Sequence, residues 1–481
     1  MKDLNTLSIK DFNGGISPLA SKGVKGSFAF GQGLNIRENN TLKSNQALKK
    51  DSGSVVVDLA LAMFKSSDGA MYAFGDTGKI YRKASGGSWT LKYTDSDGRI
   101  SGACEFKSTS NTFILYATAT KLKKITLTNA GGTWSGNITE VGSFSNGISG
   151  DFHTMRVAIG VVIICDGDVF AMYDYEDAFN NAALRMPTGT QTRALLDRND
   201  LVITGVKMRT LPEGYFITWR RTEDSWKDKK PAQGNGVNAM SIYEQGIVAQ
   251  VGTAGKLKYW NFGDTVPLTV IPGTASAYPG AVAEYGTLPH IGMNGGSKNG
   301  VYSLGRLSLN DPRALNLEYI PSHGKLTGTE IGAMASDDTD LYVAWKDGST
   351  YGIDITDSAN KTDAIYESLK MDMEKEQNEK LIRHVKILLA QPLPAGCSVK
   401  VRYRVTRLTT EGQAADDANG WIPATMSDER DAINQTGEMK GIFDLEGQGE
   451  QYEVRVELYH SGNTSPEVAG IYTYFSFGDD I

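Results

Sequence analysis

Cysteine and histidine are scarce in this sequence, and their spacing excludes several classes of site. The three cysteines are Cys104, Cys165 and Cys397. They lie far apart, are odd in number and form no CxxC pair, which argues against a disulfide scaffold and against a zinc site. The five histidines are dispersed, with no HxH or HExxH spacing. We therefore expect reduced thiols, no bound metal and no cofactor.

Long apolar runs are also missing. No run of about 18 apolar residues exists that could span a bilayer as a helix. The N-terminal sequence MKDLNTLSIKDF lacks the apolar segment of a secretion signal. The formal net charge is −7, from 49 basic and 56 acidic side chains, which argues against a broad nucleic-acid-binding face. We expect a protein that is made in the cytoplasm and has no membrane-spanning segment.

What the sequence does contain is a repeated β-strand pattern, clearest at residues 330–355 (EIGAMASDDTDLYVAWKDGSTYGIDI). A run of small residues comes first. Two runs with alternating apolar residues, LYVAW and TYGIDI, follow on either side of Asp347-Gly348. Alternation predicts half-buried strands, and Asp-Gly favours a tight hairpin turn because glycine tolerates a positive φ. The unit is therefore predicted to be three successive antiparallel strands.

Similar units recur along the chain, at residues 59–81, 100–127, 148–174 and 237–262. A three- or four-stranded unit that recurs every ~40–50 residues is typical of β-propeller blades. A single blade cannot bury both of its faces, so neighbouring blades must stack around a central axis. We predict an all-β fold with a propeller over residues 56–372. The spacing indicates about seven blades, and six or eight also fit.

The two ends of the chain differ from the repeat. Residues 1–55 are rich in Gly, Asn, Ser and Lys, and are predicted to be an extended arm that lies over the propeller or adds the strand that closes its ring. Residues 373–380 are highly charged and are predicted to be a linker. Residues 381–481 contain alternating runs without a helical pattern, which predicts a β-sandwich or jelly roll.

Candidate residues for contacts with other subunits lie in three places. The arm carries small apolar clusters, which are suited to docking on a neighbour. Residues 222–230 are predicted to be a long charged loop, and the alternation in residues 399–405 places basic side chains on one face of a strand, with Glu453, Arg455 and Glu457 on another face. The predicted contact residues are Phe12, Ile16, Phe28, Phe30, Trp226, Lys227, Lys229, Lys400, Arg402 and Arg404.

No catalytic constellation is found, so we do not expect an enzyme. No serine occupies a nucleophile-elbow sequence, and sialidase-type repeated turns are absent. The acidic turn at residues 337–340 lacks the glycine and the distal acid of a calcium loop. Two other functions stay open as alternatives. One is a glycan- or receptor-binding adhesin, which would use Trp226, Trp260 and Tyr278, and the other is a propeller glycoside hydrolase with acids gathered at one mouth of the channel.

The segments DFNGGISP and GLNIRENNTLKSNQALKK, followed by MYAFGDTGKIYRK, resemble the opening of bacteriophage tail proteins. The order of arm, propeller and terminal β-domain is similar to that of tail hub or nozzle proteins of short-tailed phages. The resemblance implies a virion structural protein that prolongs the channel for genome ejection below the portal and adaptor, with transient contact to the passing DNA. A lumen for DNA would be expected to be acidic, and −7 is only weakly so.

Identical chains that contact one another head-to-tail through different surfaces close into a ring when the rotation permits. We therefore predict a cyclic homo-oligomer, six-fold in the simplest case. The N-terminal arm and the terminal domain are expected to make most contacts with neighbouring subunits, with the portal or adaptor, or with other tail proteins.

Overall fold

The computed structural model describes residues 4–19, 21–109, 111–126, 134, 137–146, 151–220, 222–232, 234–306, 308–337, 339–372, 380–405 and 420–477. All regular structure in these ranges is β-strand, which confirms the all-β prediction. The described part of the chain contains no helix with the length and hydrophobicity to span a bilayer. The chain divides into two compact units: unit 1 is Met1–Leu48, Tyr302–Ile320 and Asp357–Ile481, and unit 2 is Lys49–Val301 and Pro321–Thr356.

The N-terminal segment forms seven short strands. They are β1 (Asn5–Ile9), β2 (Gly15–Ile16), β3 (Ser27–Phe28), β4 (Phe30–Gln32), β5 (Leu34–Asn35), β6 (Leu42–Ser44) and β7 (Gln46–Lys50).

Unit 2 contains five consecutive four-stranded antiparallel sheets. The first is β8 (Ala60–Lys65), β9 (Met71–Gly75), β10 (Lys79–Lys83) and β11 (Trp89–Thr94), and the second is β12 (Gly102–Lys107), β13 (Thr112–Ala117), β14 (Lys121–Thr126) and β15 (Ile138–Ser143). The third is β16 (Met155–Ala158), β17 (Val161–Asp166), β18 (Val169–Tyr173) and β19 (Phe179–Arg185). The fourth is β20 (Thr190–Arg198), β21 (Leu201–Met208), β22 (Gly214–Arg220) and β23 (Asp228–Pro231), and the fifth is β24 (Val237–Tyr243), β25 (Gly246–Val251), β26 (Lys256–Trp260) and β27 (Thr265–Val270).

The remaining strands are shared between the two units. They are β28 (Val282–Tyr285), β29 (Leu288–Met293), β30 (Gly300–Gly305), β31 (Ala314–Tyr319), β32 (Thr329–Ser336), β33 (Leu341–Asp347), β34 (Thr350–Lys361), β35 (Ala364–Glu367), β36 (Lys380–Leu389), β37 (Ser398–Val405), β38 (Ile422–Pro423), β39 (Thr425–Met426), β40 (Lys440–Gly449), β41 (Tyr452–Tyr459) and β42 (Glu467–Phe477).

Unit 2 is a β-propeller. The first strand of each sheet contacts the first strand of the next, and β32 contacts β8, so that the inner strands close a ring. Six four-stranded sheets serve as blades, the last being β32-β33-β34-β7. β28 occupies a further position in the ring, between β24 and β32, and pairs with β29. The described residues therefore form six complete four-stranded blades, whereas the spacing of the repeats indicated about seven.

The predicted three-strand unit at residues 330–355 is present as β32, β33 and β34. Asp347 pairs with Thr350 across the turn, where Gly348 has a φ of 58°. The small residues at its start belong to the inner strand. A Cβ on Gly332 would lie 2.2 Å from the carbonyl oxygen of Ala60 in the first blade. Small residues are therefore needed where inner strands of neighbouring blades approach closely.

Unit 1 has two sheets with strands from distant parts of the chain. One runs in the order β39-β40-β36-β42-β6-β5, and β1 also pairs with β42. The other contains β31-β4-β35-β41-β37-β38 in that order. Residues 1–48 therefore contribute strands to this unit and do not form an extended arm. The other predicted role, a strand that completes the propeller, is confirmed, because β7 is the fourth strand of the last blade. The apolar residues of the N-terminal segment are shared with the C-terminal strands: Phe12 and Phe28 both pack against Tyr366, with ring centroids 5.6 Å and 5.5 Å apart.

The domain boundaries also differ from the predicted ones. Tyr302–Ile320 and the stretch from residue 357 to 372 cluster with unit 1, although the periodicity had placed them in the propeller. The strands expected after residue 381 are present, but strands from two earlier segments complete their sheets. The predicted linker, residues 373–380, lies outside the described residues except for Lys380, which begins β36.

Candidate functional site

A cavity lies at the centre of unit 2, surrounded by the inner strands of the ring. Its volume is about 620 Å³, which is in the size range of small-ligand sites. Small side chains, among them Ala62, Ala103 and Ala335, build much of its wall. Gly280 also lines it, and a Cβ there would lie 2.2 Å from the carbonyl oxygen of Leu61. The close approach of neighbouring inner strands thus sets the width of the cavity.

Phe152 lies just before the inner strand β16 and packs beside the wall of this cavity. Its side chain is buried and packs in one cluster with Leu61, which lines the cavity wall. The ring of Tyr278 lies 5.7 Å away between centroids. The guanidinium carbons of Arg99 and Arg193 lie 4.6 Å and 5.6 Å from the centre of the Phe152 ring, within the range of cation–π contacts. These groups lie before or at the start of the inner strands, so they cluster at the end of the ring where those strands begin.

Acidic and polar side chains lie close to the two arginines that contact Phe152. Arg99 Nε is 3.0 Å from Asp76 Oδ1. Arg193 donates to Asn238 Oδ1 at 2.6 Å, and its Nε lies 3.9 Å from Asp151 Oδ1. Burial lowers the pKa of Arg193, and the charge of Asp151 opposes this effect. These contacts join residues of several blades, which indicates a structural role for this end of the ring.

Tyr278 is held in the same network. Its hydroxyl donates to Glu330 Oε2 at 3.0 Å. Burial, followed by the charge of Glu330, raises the pKa of Tyr278 to about 12, so the phenol stays protonated at neutral pH. Tyr278 therefore acts as a hydrogen-bond donor between β28 and the last blade.

The other end of the cavity has charged residues, located towards the carboxyl ends of the inner strands. Lys65, Glu105, Arg156 and Glu284 line it, and each comes from a different strand. Lys65 Nζ lies 3.7 Å from Asp337 Oδ2, in an ion pair. The charged side chains are thus concentrated at this opening, whereas the walls combine small apolar side chains with a few hydroxyl groups.

Two of these four residues already have partners, and two do not. Glu105 accepts hydrogen bonds from the hydroxyls of Ser66 and Ser67, at 2.7 Å and 2.6 Å. It also accepts one from the backbone N–H of Ser67 at 2.8 Å. By contrast, the side chains of Arg156 and Glu284 make no hydrogen bond or ion pair with any residue that the structure describes. Both are exposed.

Two further groups near Arg156 define the electrostatics of the opening. Burial raises the pKa of Asp197, and Arg156 partly offsets the rise. The Oδ1 atom of Asp197 is buried and has no hydrogen-bond partner among the described residues. Burial also raises the pKa of the Cys104 thiol to about 12. Cys104 is therefore protonated at neutral pH, and a thiol is a poor nucleophile. The opening can hold a charged ligand, whereas its thiol is unsuited to covalent chemistry.

The four contact residues predicted in the N-terminal segment are not available to another subunit. Phe12 and Phe28 are completely buried within the chain, and Ile16 and Phe30 are 5% and 7% exposed. The sequence showed small apolar clusters without a local core, which suggested docking on a neighbour. Their partners lie in the same chain, more than 300 residues away.

The loop predicted at residues 222–230 is shorter than expected, because Asp228–Pro231 forms the outer strand of the fourth blade. Trp226 is partly buried against the cluster between the third and fourth blades. Lys227 is exposed, and Lys229 lies over the ring of Tyr215, with Nζ 3.7 Å from the ring centroid. Of the three predicted contact residues here, Lys227 is the one with a side chain open to solvent.

The predicted basic face of β37 is in fact a face of mixed charge. Lys400, Arg402 and Arg404 lie directly opposite Glu457, Arg455 and Glu453 of β41 in the antiparallel register. Directly opposite residues share one face of a sheet, so the acids do not line another face as expected. Arg402 Nε lies 2.9 Å from Glu457, Arg404 Nε lies 2.7 Å from Glu453, and Lys400 Nζ lies 2.6 Å from Asp431.

The aromatic residues proposed for glycan binding do not form a common surface. Trp260 is 2% exposed and stacks on Phe216, with ring centroids 5.1 Å apart. Tyr278 packs against Phe152, and Trp226 packs against the cluster between the third and fourth blades. A concave aromatic face of the kind a lectin needs is therefore not assembled from these three residues.

The acidic turn after β32 is organised by its own hydrogen bonds. Asp337 Oδ1 accepts from the backbone N–H groups of Thr339 and Asp340, at 3.0 Å and 2.8 Å. Asp338 lies outside the described residues. Within the described ranges, no three His, Cys, Asp or Glu residues are grouped as they would be around a metal ion.

Sequence analysis did not single out Phe152, Arg193, Arg156 or Glu284. A signal was present for Glu284, because a run of small residues precedes the charge in AVAEY, as it does in LALAMFK before Lys65. Arg156 follows a methionine and has no such run before it. The inner position of these strands was predictable from their small residues. Which charges lack a partner depends on neighbouring blades, and no local pattern reports that.

Known proteins resemble this chain in fold. No family model matches the chain, and no curated protein matches it. Among solved structures, the extracellular domain of a B. thetaiotaomicron one-component system matches with a TM-score of 0.47 and 13% identity, over 70% of this chain and 43% of that chain. The chain thus spans less than half the length of that structure. A virginiamycin B lyase from Staphylococcus aureus matches with a TM-score of 0.48 and 12% identity, over 65% of this chain and 99% of that chain. The computationally designed Ika8 protein matches with a TM-score of 0.39 and 11% identity, over 68% of this chain and 97% of that chain.

Proposed function

We propose that this chain is a non-enzymatic structural subunit of a bacteriophage tail, a hub or nozzle component whose copies form a ring around the path of genome ejection. One observation carries the proposal. The two N-terminal segments that resemble tail proteins are bound to each other through Asn40. Its Nδ2 donates to Asp11 Oδ1 at 2.9 Å, and its Oδ1 accepts from the backbone N–H of Phe12 at 2.8 Å. The resemblance therefore concerns one folded element and not two unrelated stretches.

In this proposal the DNA passes through the centre of the ring and not through the propeller. The cavity in unit 2 has a volume of about 620 Å³. A DNA duplex, whose major groove alone is about 12 Å wide, cannot be threaded through such a cavity. The propeller is then a rigid body that presents surfaces to neighbouring proteins.

The contacts between subunits are better assigned to exposed apolar residues than to the buried ones chosen from sequence. In unit 1, Leu19, Val24 and Leu309 are 58%, 60% and 80% exposed. All three lie in loops, with Leu309 in the loop between β30 and β31. Large apolar side chains that remain this exposed are suited to burial against a partner. We assign them to the contact with a neighbouring subunit or with another tail protein.

The proposal is tested by locating the chain in virus particles by electron microscopy. We expect several copies arranged around the tail axis, six in the simplest case. The variant Leu309→Asp should fold normally but enter particles poorly, because a charge would be buried in the contact. Leu211→Asp is the matched control, since Leu211 is also half exposed but lies in unit 2. Absence of the chain from particles, or a single copy projecting from the particle side, would contradict the proposal.

A further inference from the structure

The open end of the propeller cavity presents two opposite charges that have no ion-pair partner among the residues the structure describes. Arg156 lies on β16 and Glu284 on β28, and both side chains are exposed at the cavity opening. Neither forms a hydrogen bond or ion pair with another described residue. The other charges at this opening are used internally, as in the ion pair of Lys65 with Asp337. The unpaired guanidinium and carboxylate are therefore available to a ligand.

The order of the inner strands separates these two charges. In the ring, β16 is followed by β20, β24 and then β28. Two inner strands therefore lie between Arg156 and Glu284 on one side, and three lie between them on the other. The charges face each other across the opening, so a ligand must carry a negative and a positive group at some distance to reach both.

The wall between the two charges suits an extended chain. It combines small apolar side chains with hydroxyl groups such as those of Ser101, Thr154 and Ser241. Each inner strand also has only one partner strand in its blade, so its other edge faces the cavity. Unpaired strand edges offer backbone N–H and C=O groups, which are the groups that bind an extended peptide.

We propose that the open end of the cavity binds a short peptide through both its terminal carboxylate and its terminal ammonium group. Arg156 binds the carboxylate through its planar pair of donors. Glu284 accepts hydrogen bonds from the ammonium group. This site is independent of the proposed role in a phage tail.

The test uses the full chain and glycine peptides, which carry both terminal charges and no side chains. Binding is measured by isothermal titration calorimetry at low ionic strength, with the series from diglycine to hexaglycine. We expect saturable binding that strengthens until the peptide is long enough to reach both charges. Free glycine and free lysine form a separate arm, which distinguishes an amino acid from a peptide as the ligand. Free glycine should bind weakly, because its two charges are too close together. Free lysine, whose ε-ammonium lies about as far from its carboxylate as the two termini of diglycine lie from each other, should bind no more tightly than diglycine.

Blocked peptides and single substitutions separate the two contacts. Arg156→Gln and Glu284→Gln should each weaken tetraglycine binding by about tenfold, because each removes a hydrogen bond to a charged group. Acetyl-tetraglycine, which keeps only the carboxylate, should be sensitive to Arg156→Gln and insensitive to Glu284→Gln. Tetraglycine amide, which keeps only the ammonium group, should be sensitive to Glu284→Gln and insensitive to Arg156→Gln. Arg185→Gln is the matched control, since Arg185 is exposed on the outer strand β19.

Three results would overturn the proposal. One is a lack of saturable binding by every peptide in the series. Another is equal affinity for tetraglycine and for its acetylated amide, which carries no charge. The third is equal weakening by Arg185→Gln and Arg156→Gln, which would show that the net charge of the protein matters and the position does not.

Discussion

Lys123 of the second blade and Asp95, which follows the last strand of the first blade, form a buried ion pair, with Lys123 Nζ 2.7 Å and 2.8 Å from the two carboxylate oxygens. Tyr116 donates its hydroxyl hydrogen to the same carboxylate at 2.6 Å. Removing the lysine leaves a fully buried carboxylate without its counter-charge. We therefore expect Lys123→Met to lower the free energy of unfolding by about 3–5 kcal/mol. The measurement is a urea titration followed by tryptophan fluorescence.

The control for this variant is two residues away on the same strand. Lys121 Nζ is 3.0 Å from Glu140, but this pair is exposed to water. Screening by water makes such pairs weak, so Lys121→Met should leave the urea midpoint nearly unchanged. Equal shifts for the two variants would mean that burial is not the cause of the effect at Lys123.

Asp58 should make the stability of unit 2 depend on pH. Its carboxylate accepts hydrogen bonds from the backbone N–H and the hydroxyl of Thr77, both at 2.8 Å. Burial nevertheless outweighs these contacts and raises the pKa of Asp58 above its ordinary value of 3.8. At pH values between 3.8 and the raised pKa of Asp58 in the folded chain, the folded chain binds more protons than the unfolded chain. The stability from protonation is complete below pH 3.8 and is lost as pH rises through the folded pKa.

Replacing Asp58 with asparagine tests this pH dependence. Asparagine is neutral at every pH, so Asp58→Asn should remove the part of the slope that comes from this carboxyl. The difference in urea midpoint between the variant and the parent should therefore change between pH 4 and 7, in favour of the variant as pH rises. Asp200→Asn is the control, because the Asp200 side chain is 71% exposed. A parallel pair of curves for Asp58→Asn and its parent would contradict the prediction.

Gly332 should be intolerant even of alanine. Its Cβ would lie 2.2 Å from the carbonyl oxygen of Ala60, and backbone cannot move aside as a flexible side chain can. Gly332→Ala should therefore destabilise the chain by at least about 1–3 kcal/mol, the usual cost of overpacking. At Gly87 the nearest atom is 3.3 Å from the added Cβ, so Gly87→Ala should fold nearly as the parent does. Thermal unfolding of the two variants side by side provides the measurement.

The propeller could be predicted from sequence because its signals are local. The turn at Asp347 and Gly348 and the small residues at Gly332 are visible within one unit, and the structure has them where the pattern placed them. The alternation was less informative about burial. Residues 341–345 are buried throughout, and not half-buried as predicted, because blades stack on both faces of each sheet.

Features that depend on pairing between distant segments were not predictable. The position of Lys400 opposite Glu457 follows from the register of β37 on β41, which no local pattern fixes. In the same way, Phe12 looked available for docking because nothing near it in sequence could cover it. In the structure, Phe12 packs against Tyr366, which lies more than 300 residues away in the sequence of unit 1. The unpaired state of Arg156 is likewise a property of three neighbouring blades.

The last prediction distinguishes an integrated N-terminal segment from a docking arm. Phe28 is completely buried, and its ring centroid lies 5.5 Å from that of Tyr366. Phe28→Ala should lower the free energy of unfolding of the isolated chain by about 3–5 kcal/mol. Leu19 belongs to the same segment but is 58% exposed. Leu19→Ala should therefore change the free energy of unfolding by no more than about 0.5 kcal/mol.

The two variants should also differ in assembly, and the combination decides between the two interpretations. If the segment is part of unit 1, Phe28→Ala loses stability before any partner is present, whereas Leu19→Ala is stable alone and enters particles less well. Urea titration of the isolated chain and quantitative mass spectrometry of purified particles measure the two effects. A stable Phe28→Ala chain that fails only in particles would mean that this residue docks on a neighbour, as the sequence suggested, because burial within its own chain would then contribute nothing to folding.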